Sequence, residues 1–132
     1  MNENLNEKVS VNINPATLSQ IDLLVDKGYY SNRSDFINQA LRDELQKYAS
    51  VFEQVKQEKE VGETWFLGIS NLDNRTLQNA KAQGKTFPVA GYGVLVLDEN
   101  IDEELLFEVV ETIKVRGKVI CSPAVKTHYG LK

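Results

Sequence analysis

Lys8, Ser10 and Asn12 alternate with Val9, Val11 and Ile13, so an extended segment over residues 8–14 carries hydrogen-bonding side chains on one face and apolar ones on the other. An ammonium, a hydroxyl and a carboxamide at two-residue spacing are groups able to read base edges. Lys8 can donate to guanine O6 or N7, Asn12 can bond adenine bidentately, and Ser10 can bond either while discriminating poorly. The plain alternative is a solvated strand face, and only contact with base edges would turn these residues into a site. A second group, Ser31, Asn32, Arg33 and Ser34, stands where a helix begins, and helix N-terminal amides form a phosphate site. Arg33 can equally form a surface salt bridge, and Ser31, Asn32 and Ser34 can serve as ordinary caps.

These residues need a scaffold. No hairpin signal and no second strand pattern occurs before residue 60, so the strand at 8–14 requires a partner strand from another chain. A two-fold dimer answers this: Val9, Val11 and Ile13 of two chains cover a shared core, and the six polar side chains face outward on a ribbon that fits a B-DNA major groove. Asn14 can cap a helix starting at Pro15, with Leu18, Ile21, Leu24 and Val25 as its apolar stripe and Gly28 as its end. A second helix is expected from Ser31 or Asn32, with Asp35 favourable to the helix dipole and Phe36, Ile37, Ala40, Leu41, Leu45 and Tyr48 on its buried side. Tyr29 and Tyr30 read as turn and core packing.

With Asn-Pro at the first helix, Gly28-Tyr29 at the turn, Ser31-Asn-Arg-Ser-Asp35 at the second helix and Ala40-Leu-Arg42 within it, residues 7–49 resemble the ribbon-helix-helix DNA-binding domain of Arc-, MetJ- and CopG-like regulators. The resemblance implies a homodimer with an intermolecular antiparallel ribbon, bound to double-stranded DNA as the dimer or as a tetramer or higher assembly. It implies base contacts from Lys8, Ser10 and Asn12 and phosphate contacts from Ser31, Asn32, Arg33 and Ser34. It also implies a cytoplasmic transcriptional regulator, a repressor above all. Many relatives carry Arg on the strand where this chain has Asn12, so their operator preference does not transfer. The rival role on the same fold is an antitoxin that represses its own operon and neutralises a toxin through its C-terminal segment.

The chain has 132 residues, 42% of them apolar, with no long apolar run and no signal-peptide pattern, so a soluble protein without a membrane partner is expected. Lys and Arg number 5 against 7 Asp and Glu in residues 1–50, and 10 against 12 thereafter, for a net charge of −4. Neither half is the basic block of an indiscriminate nucleic-acid binder, although a dimer can gather Lys8 and Arg33 on one surface and leave Asp22, Asp26, Asp43 and Glu44 elsewhere.

The expected organisation is a flexible N-terminus at 1–6, the ribbon-helix-helix at 7–49, a helical extension or linker at 50–61 ending at Gly62, and an α/β domain at 62–132. No Gly or Pro interrupts 31–61, and Tyr48, Phe52 and Val55 prolong the apolar stripe of the second helix as a stalk against the dimer mate or as an exposed linker. Beyond it the pattern reads β-α-β-α-β: strand 64–69, helix 74–82, strand 87–97 with a bend or bulge at Gly91 and Gly93, helix 103–113 and strand 114–121. The fold class is therefore α+β. Asn71-Leu-Asp-Asn74 and Asn100-Ile-Asp-Glu103 recur 29 residues apart with Leu77 and Leu106 in step, which suggests two copies of one strand-to-helix unit. Such a module could bind a small effector or join dimers, and Gly91-Tyr-Gly93 is the first place to look.

Neither metal nor cofactor is expected. Cys121 and His128 are the chain's one Cys and one His, with no Cys-x-x-Cys or His-x-x-x-His spacing; Cys121 reads as a reduced thiol at a strand end and His128 as a surface residue. Nor is an enzyme expected. There is no Gly-rich phosphate loop or nucleophile elbow, and Asp102-Glu-Glu104 is a helix-start charge pattern.

Overall fold

The computed structural model describes residues 6–59 and 64–132; residues 1–5 and Gly62, the expected helix end, lie outside the described residues. Among them the chain is mixed helix and strand, in the order α1 (Pro15–Asp26), α2 (Arg33–Gln46), α3 (Ala49–Lys59), β1 (Thr64–Leu72), α4 (Asn74–Ala82), β2 (Phe87–Leu97), α5 (Glu103–Val109), β3 (Val110–Ile120) and α6 (Pro123–Tyr129). The described residues divide into two compact units, 6–54 and 55–59 with 64–132.

In the first unit the helix punctuation acts as the residue types dictate. Asn14 Oδ1 accepts from the Ala16 amide at 2.7 Å, and Pro15 occupies the first turn, where a missing N–H costs nothing. Gly28, at φ +84°, closes α1: the Tyr29 amide donates to the Leu24 carbonyl and the Gly28 amide to the Val25 carbonyl, each at 3.0 Å. That double closure requires a left-handed residue, which glycine supplies at least cost. Tyr30 packs edge-on against Phe36 with ring centroids 5.0 Å apart, whereas Tyr29 is exposed.

This unit has almost no interior of its own. Ile21 is its one buried apolar residue among the described residues, and the expected buried side of α2 is open: Ile37, Leu41, Leu45 and Tyr48 are all exposed in the single chain. Ordering costs roughly 1–2 kcal/mol per residue, which one buried side chain cannot offset. Residues 6–14 belong to no helix or strand, since ladder hydrogen bonds need a second strand and the chain offers none there.

The continuous helix expected from residue 31 onward is corrected by a break at Lys47 and Tyr48. Their amides donate to the carbonyls three residues back, Glu44 at 3.2 Å and Leu45 at 3.0 Å, tightening the last turn of α2, and α3 begins at Ala49. The Lys47–Glu44 ion pair at 2.8 Å spans the same tightened turn.

In the second unit β1, β2 and β3 form a parallel sheet in sequence order, with α4 and α5 as crossovers. Phe66, Leu72, Val89, Leu95, Leu97 and Ile113 from the sheet meet Leu77, Leu105, Leu106, Val109 and Val125 from the helices in one buried cluster. Each such fully buried side chain contributes about 1.5–3 kcal/mol. Three expectations are corrected here. β1 runs on to Leu72. The helix expected to reach residue 113 stops at Val109, because Val110, Thr112 and Ile113 are β-branched and favour the strand that begins at Val110. The register irregularity lies between Phe87 and Val89, while Gly91-Tyr-Gly93 stays in register.

The repeat also has three strand-to-helix units, not two. Asp73, Asp102 and Ser122 cap α4, α5 and α6, each accepting from the amide three residues on, and Leu77, Leu106 and Val125 beneath them are fully buried. Asn74 ties the first unit to the second: its Nδ2 donates to the Asn100 carbonyl at 2.8 Å and its Oδ1 accepts from the Asp102 amide at 2.7 Å. Ser122 Oγ donates to Glu103 at 2.6 Å and ties the second to the third. Strand register aligns Gly68, Gly93 and Gly117 in one row, all with φ between +108° and +143°.

Tyr129 of α6 anchors this last unit, its hydroxyl within bonding distance of the Val110 carbonyl at 2.8 Å and the Leu106 carbonyl at 3.1 Å. Burial disfavours the phenolate and pushes its pKa up to about 12, from 10.0. A raised folded-state value means the contribution is complete below pH 10 and is lost as pH rises from 10 towards 12. Tyr129→Phe should therefore cost about 1 kcal/mol at neutral pH in urea unfolding and flatten that alkaline decline. A wild-type alkaline profile in the variant would contradict this.

Candidate nucleic-acid interface

The N-terminal unit contains both groups of residues singled out from the sequence. Lys8, Ser10 and Asn12 are exposed on the segment leading into α1, as are their apolar neighbours, with Val9 and Val11 about three-quarters accessible. The alternation thus leaves two unburied faces in a single chain, one polar and one apolar. Exposure of the second to water is unfavourable, so covering it with another surface would be stabilising.

At the start of α2 the capping is reciprocal. Asn32 Oδ1 accepts from the Asp35 amide at 2.8 Å, and Asp35 Oδ2 accepts from the Ser31 amide at 3.0 Å. The first-turn amides of Arg33 and Ser34 have no acceptor within the helix, as in any α-helix, and their side chains are exposed. Dipole and free amides together favour an anion there, whereas the Asp35 carboxylate in the same turn opposes one.

Arg33 does not stand free. Its Nε and Nη2 donate to the two carboxylate oxygens of Asp22 on α1, at 2.8 and 2.9 Å. The hydrogen bond and the opposite charge hold Asp22 below the usual carboxylate range and raise Arg33 above its ordinary value. The fork braces the beginning of α2 against α1 and leaves Nη1 for another acceptor. Sequence reasoning missed Asp22 as a partner, since eleven residues and a turn separate the pair and no local pattern marks it.

Elsewhere the described residues offer little competing chemistry. They contain no group of three or more His, Cys, Asp and Glu side chains positioned for a metal ion, and no helix long and apolar enough to cross a membrane. Cys121 follows β3 half-buried with no disulfide, and His128 is exposed, stacked on Phe107 at 3.9 Å.

Comparison with known proteins gives one result that spans most of the chain. The model of the ribbon-helix-helix transcriptional regulator family matches residues 4–126. No curated protein and no solved structure matches the chain.

Proposed function

The chain belongs to the ribbon-helix-helix transcriptional regulator family, and we propose that two copies pair their residues 8–14 as an antiparallel ribbon that reads a short inverted repeat in the major groove and represses transcription there. The observation that carries this reading is the set of apolar side chains left exposed in a unit with one buried residue. Val9, Val11 and Ile13 precede α1 and Ile37, Leu41 and Leu45 lie on α2, and a second copy is the economical cover for both sets. Pairing them would turn Lys8, Ser10 and Asn12 outward on each strand, six side chains per dimer.

In this reading Lys8, Ser10 and Asn12 contact base edges, while Ser31, Asn32, Arg33 and Ser34 hold the phosphates that fix register. Asn12→Ala should cost about 1–3 kcal/mol and relax base preference, whereas Arg33→Ala, which removes one phosphate contact per protomer, should weaken binding to every duplex alike and reduce the magnitude of the salt slope by about 2 per dimer. Asp22→Asn removes the Arg33 brace but keeps its charge, and should spare sequence preference. The slope itself should be about −4 to −6, as for five to six neutralised phosphates per dimer. Salt-dependent titrations of the three variants on matched and scrambled duplexes test all of this; a slope near zero, or an Asn12→Ala variant with unchanged preference, would refute the assignment. The folded α/β unit at residues 55–132 favours a regulator with a built module over an antitoxin whose C-terminal segment folds only on its toxin.

A further inference from the structure

Parallel sheets are almost always covered on both faces, yet among the described residues the helices pack on one face only and leave the other open. On that open face, register sets Trp65, Ala90 and Lys114 in one row and Leu67, Tyr92 and Arg116 in the next. Most of these side chains and the spaces between them form a shallow depression of about 370 Å3. Ile69 and Tyr92 are more than half exposed, and Trp65 meets Tyr92 edge-on with centroids 6.5 Å apart. No hydrogen bond or ion pair among the described residues engages the Lys114 or Arg116 side chain. The face thus has an aromatic and aliphatic floor over β1 and β2, a column of two cations, Lys114 and Arg116, along β3, and no carboxylate in these two rows.

We propose that this face binds single-stranded nucleic acid, with unstacked bases on Trp65 and Tyr92 and the phosphate backbone along Lys114 and Arg116. Charge decides between occupants. A centred two-fold contact with a second copy would set the β3 column either on itself or on Leu67 and Ile69, burying cations with no carboxylate to pair them. A duplex keeps its base faces inside the stack, out of reach of Trp65 and Tyr92. A single strand supplies both missing groups: planar bases for the aromatic pair and an anionic backbone for cations about 6.6 Å apart along a strand. Aromatic and cationic residues mixed on one sheet face tolerate any base, so little sequence preference is expected.

Trp65 is the chain's single tryptophan, so its fluorescence reports occupancy of this face directly. The full chain is titrated with a twelve-nucleotide oligothymidylate, and separately with its duplex form. The expected result is quenching by the single strand with a salt slope of about −1.4, for two phosphates at about −0.7 each. Tyr92→Ala, an exposed position, should weaken it roughly 5- to 150-fold. Lys114→Ala combined with Arg116→Ala should reduce both affinity and slope, while Lys8→Ala combined with Asn12→Ala should leave the quenching intact, which separates this face from the ribbon. The proposal is overturned by the absence of quenching, by quenching that the Lys114/Arg116 variant retains, or by a concentration-dependent blue shift without nucleic acid, which would mean that a second copy covers the face.

Discussion

Val11→Asp should leave the protein monomeric at micromolar concentration and lower its duplex affinity by at least about a hundredfold. In the single chain Val11 is 73% exposed, on the face opposite Ser10 and Asn12. Paired as a ribbon, each dimer would bury two carboxylates among the Val9 and Ile13 side chains of both chains, at an effective cost of several kcal/mol per ion. The unit over residues 6–54 buries only Ile21 by itself, so it has no reserve to absorb that loss. Val11→Ile keeps the apolar character and should pair and bind like the parent. Light scattering and a duplex titration on the same samples read both effects. A Val11→Asp protein that stays dimeric and binds would place the dimer interface elsewhere.

Gly93→Ala should unfold the α/β unit or lower its stability by about 3 kcal/mol or more. Gly93 has φ +128°, where side-chain-bearing residues are strained, and a Cβ there would stand 1.9 Å from the Gly68 carbonyl oxygen. Gly117 meets the same obstacle, its Cβ falling 2.0 Å from the Gly93 oxygen. These neighbours are backbone atoms of the central and flanking strands and cannot rotate aside. For a unit of this size the loss corresponds to a fall in Tm of about 12 °C or more. Gly84→Ala is the control: its φ is +65° but nothing lies within 4 Å of a Cβ, so the cost should be about 1 kcal/mol. Equal melting curves for the two variants would contradict the role assigned to the glycine row.

Where residues signal locally, the fold was legible. Asn14, Asn32, Asp73 and Asp102 open α1, α2, α4 and α5, each through a hydrogen bond its side chain is built to make, and Gly28 closes α1 through its left-handed backbone. Serine followed by proline opens a helix in the same way at Ser122-Pro123, and Gly130 closes α6 at φ +68°, but seven residues carry too little periodicity to announce a helix from sequence. Features that depend on distant partners were not legible. The break at Lys47 and Tyr48 has no Gly or Pro to announce it. Gly68, Gly93 and Gly117 are 25 and 24 residues apart, a spacing that acquires meaning only once the strands are in register. The short apolar run around Val109 and Val110 fits a helix end and a strand start equally well until the pairing of Val110 with Phe87 decides.

The candidate site divides along the same line. Lys8, Ser10 and Asn12 stand out by alternation alone; in the single chain they are exposed together with their apolar neighbours Val9, Val11 and Ile13. Arg33 stands out by type, but its bidentate pairing with Asp22 joins two helices and depends on the turn between them. The open face of the sheet was hinted at only by Tyr92 between its glycines; its cations come from a different strand.

The most direct test of the ribbon as the reading element is a titration of the full chain with a duplex from upstream of its own gene and with a scrambled duplex, at about physiological salt, with stoichiometry recorded. The expected result is specific binding by two chains per half-site pair, lost when Lys8 and Asn12 are both replaced by Ala. Binding by a single chain, or specific binding that the double variant retains, would contradict it.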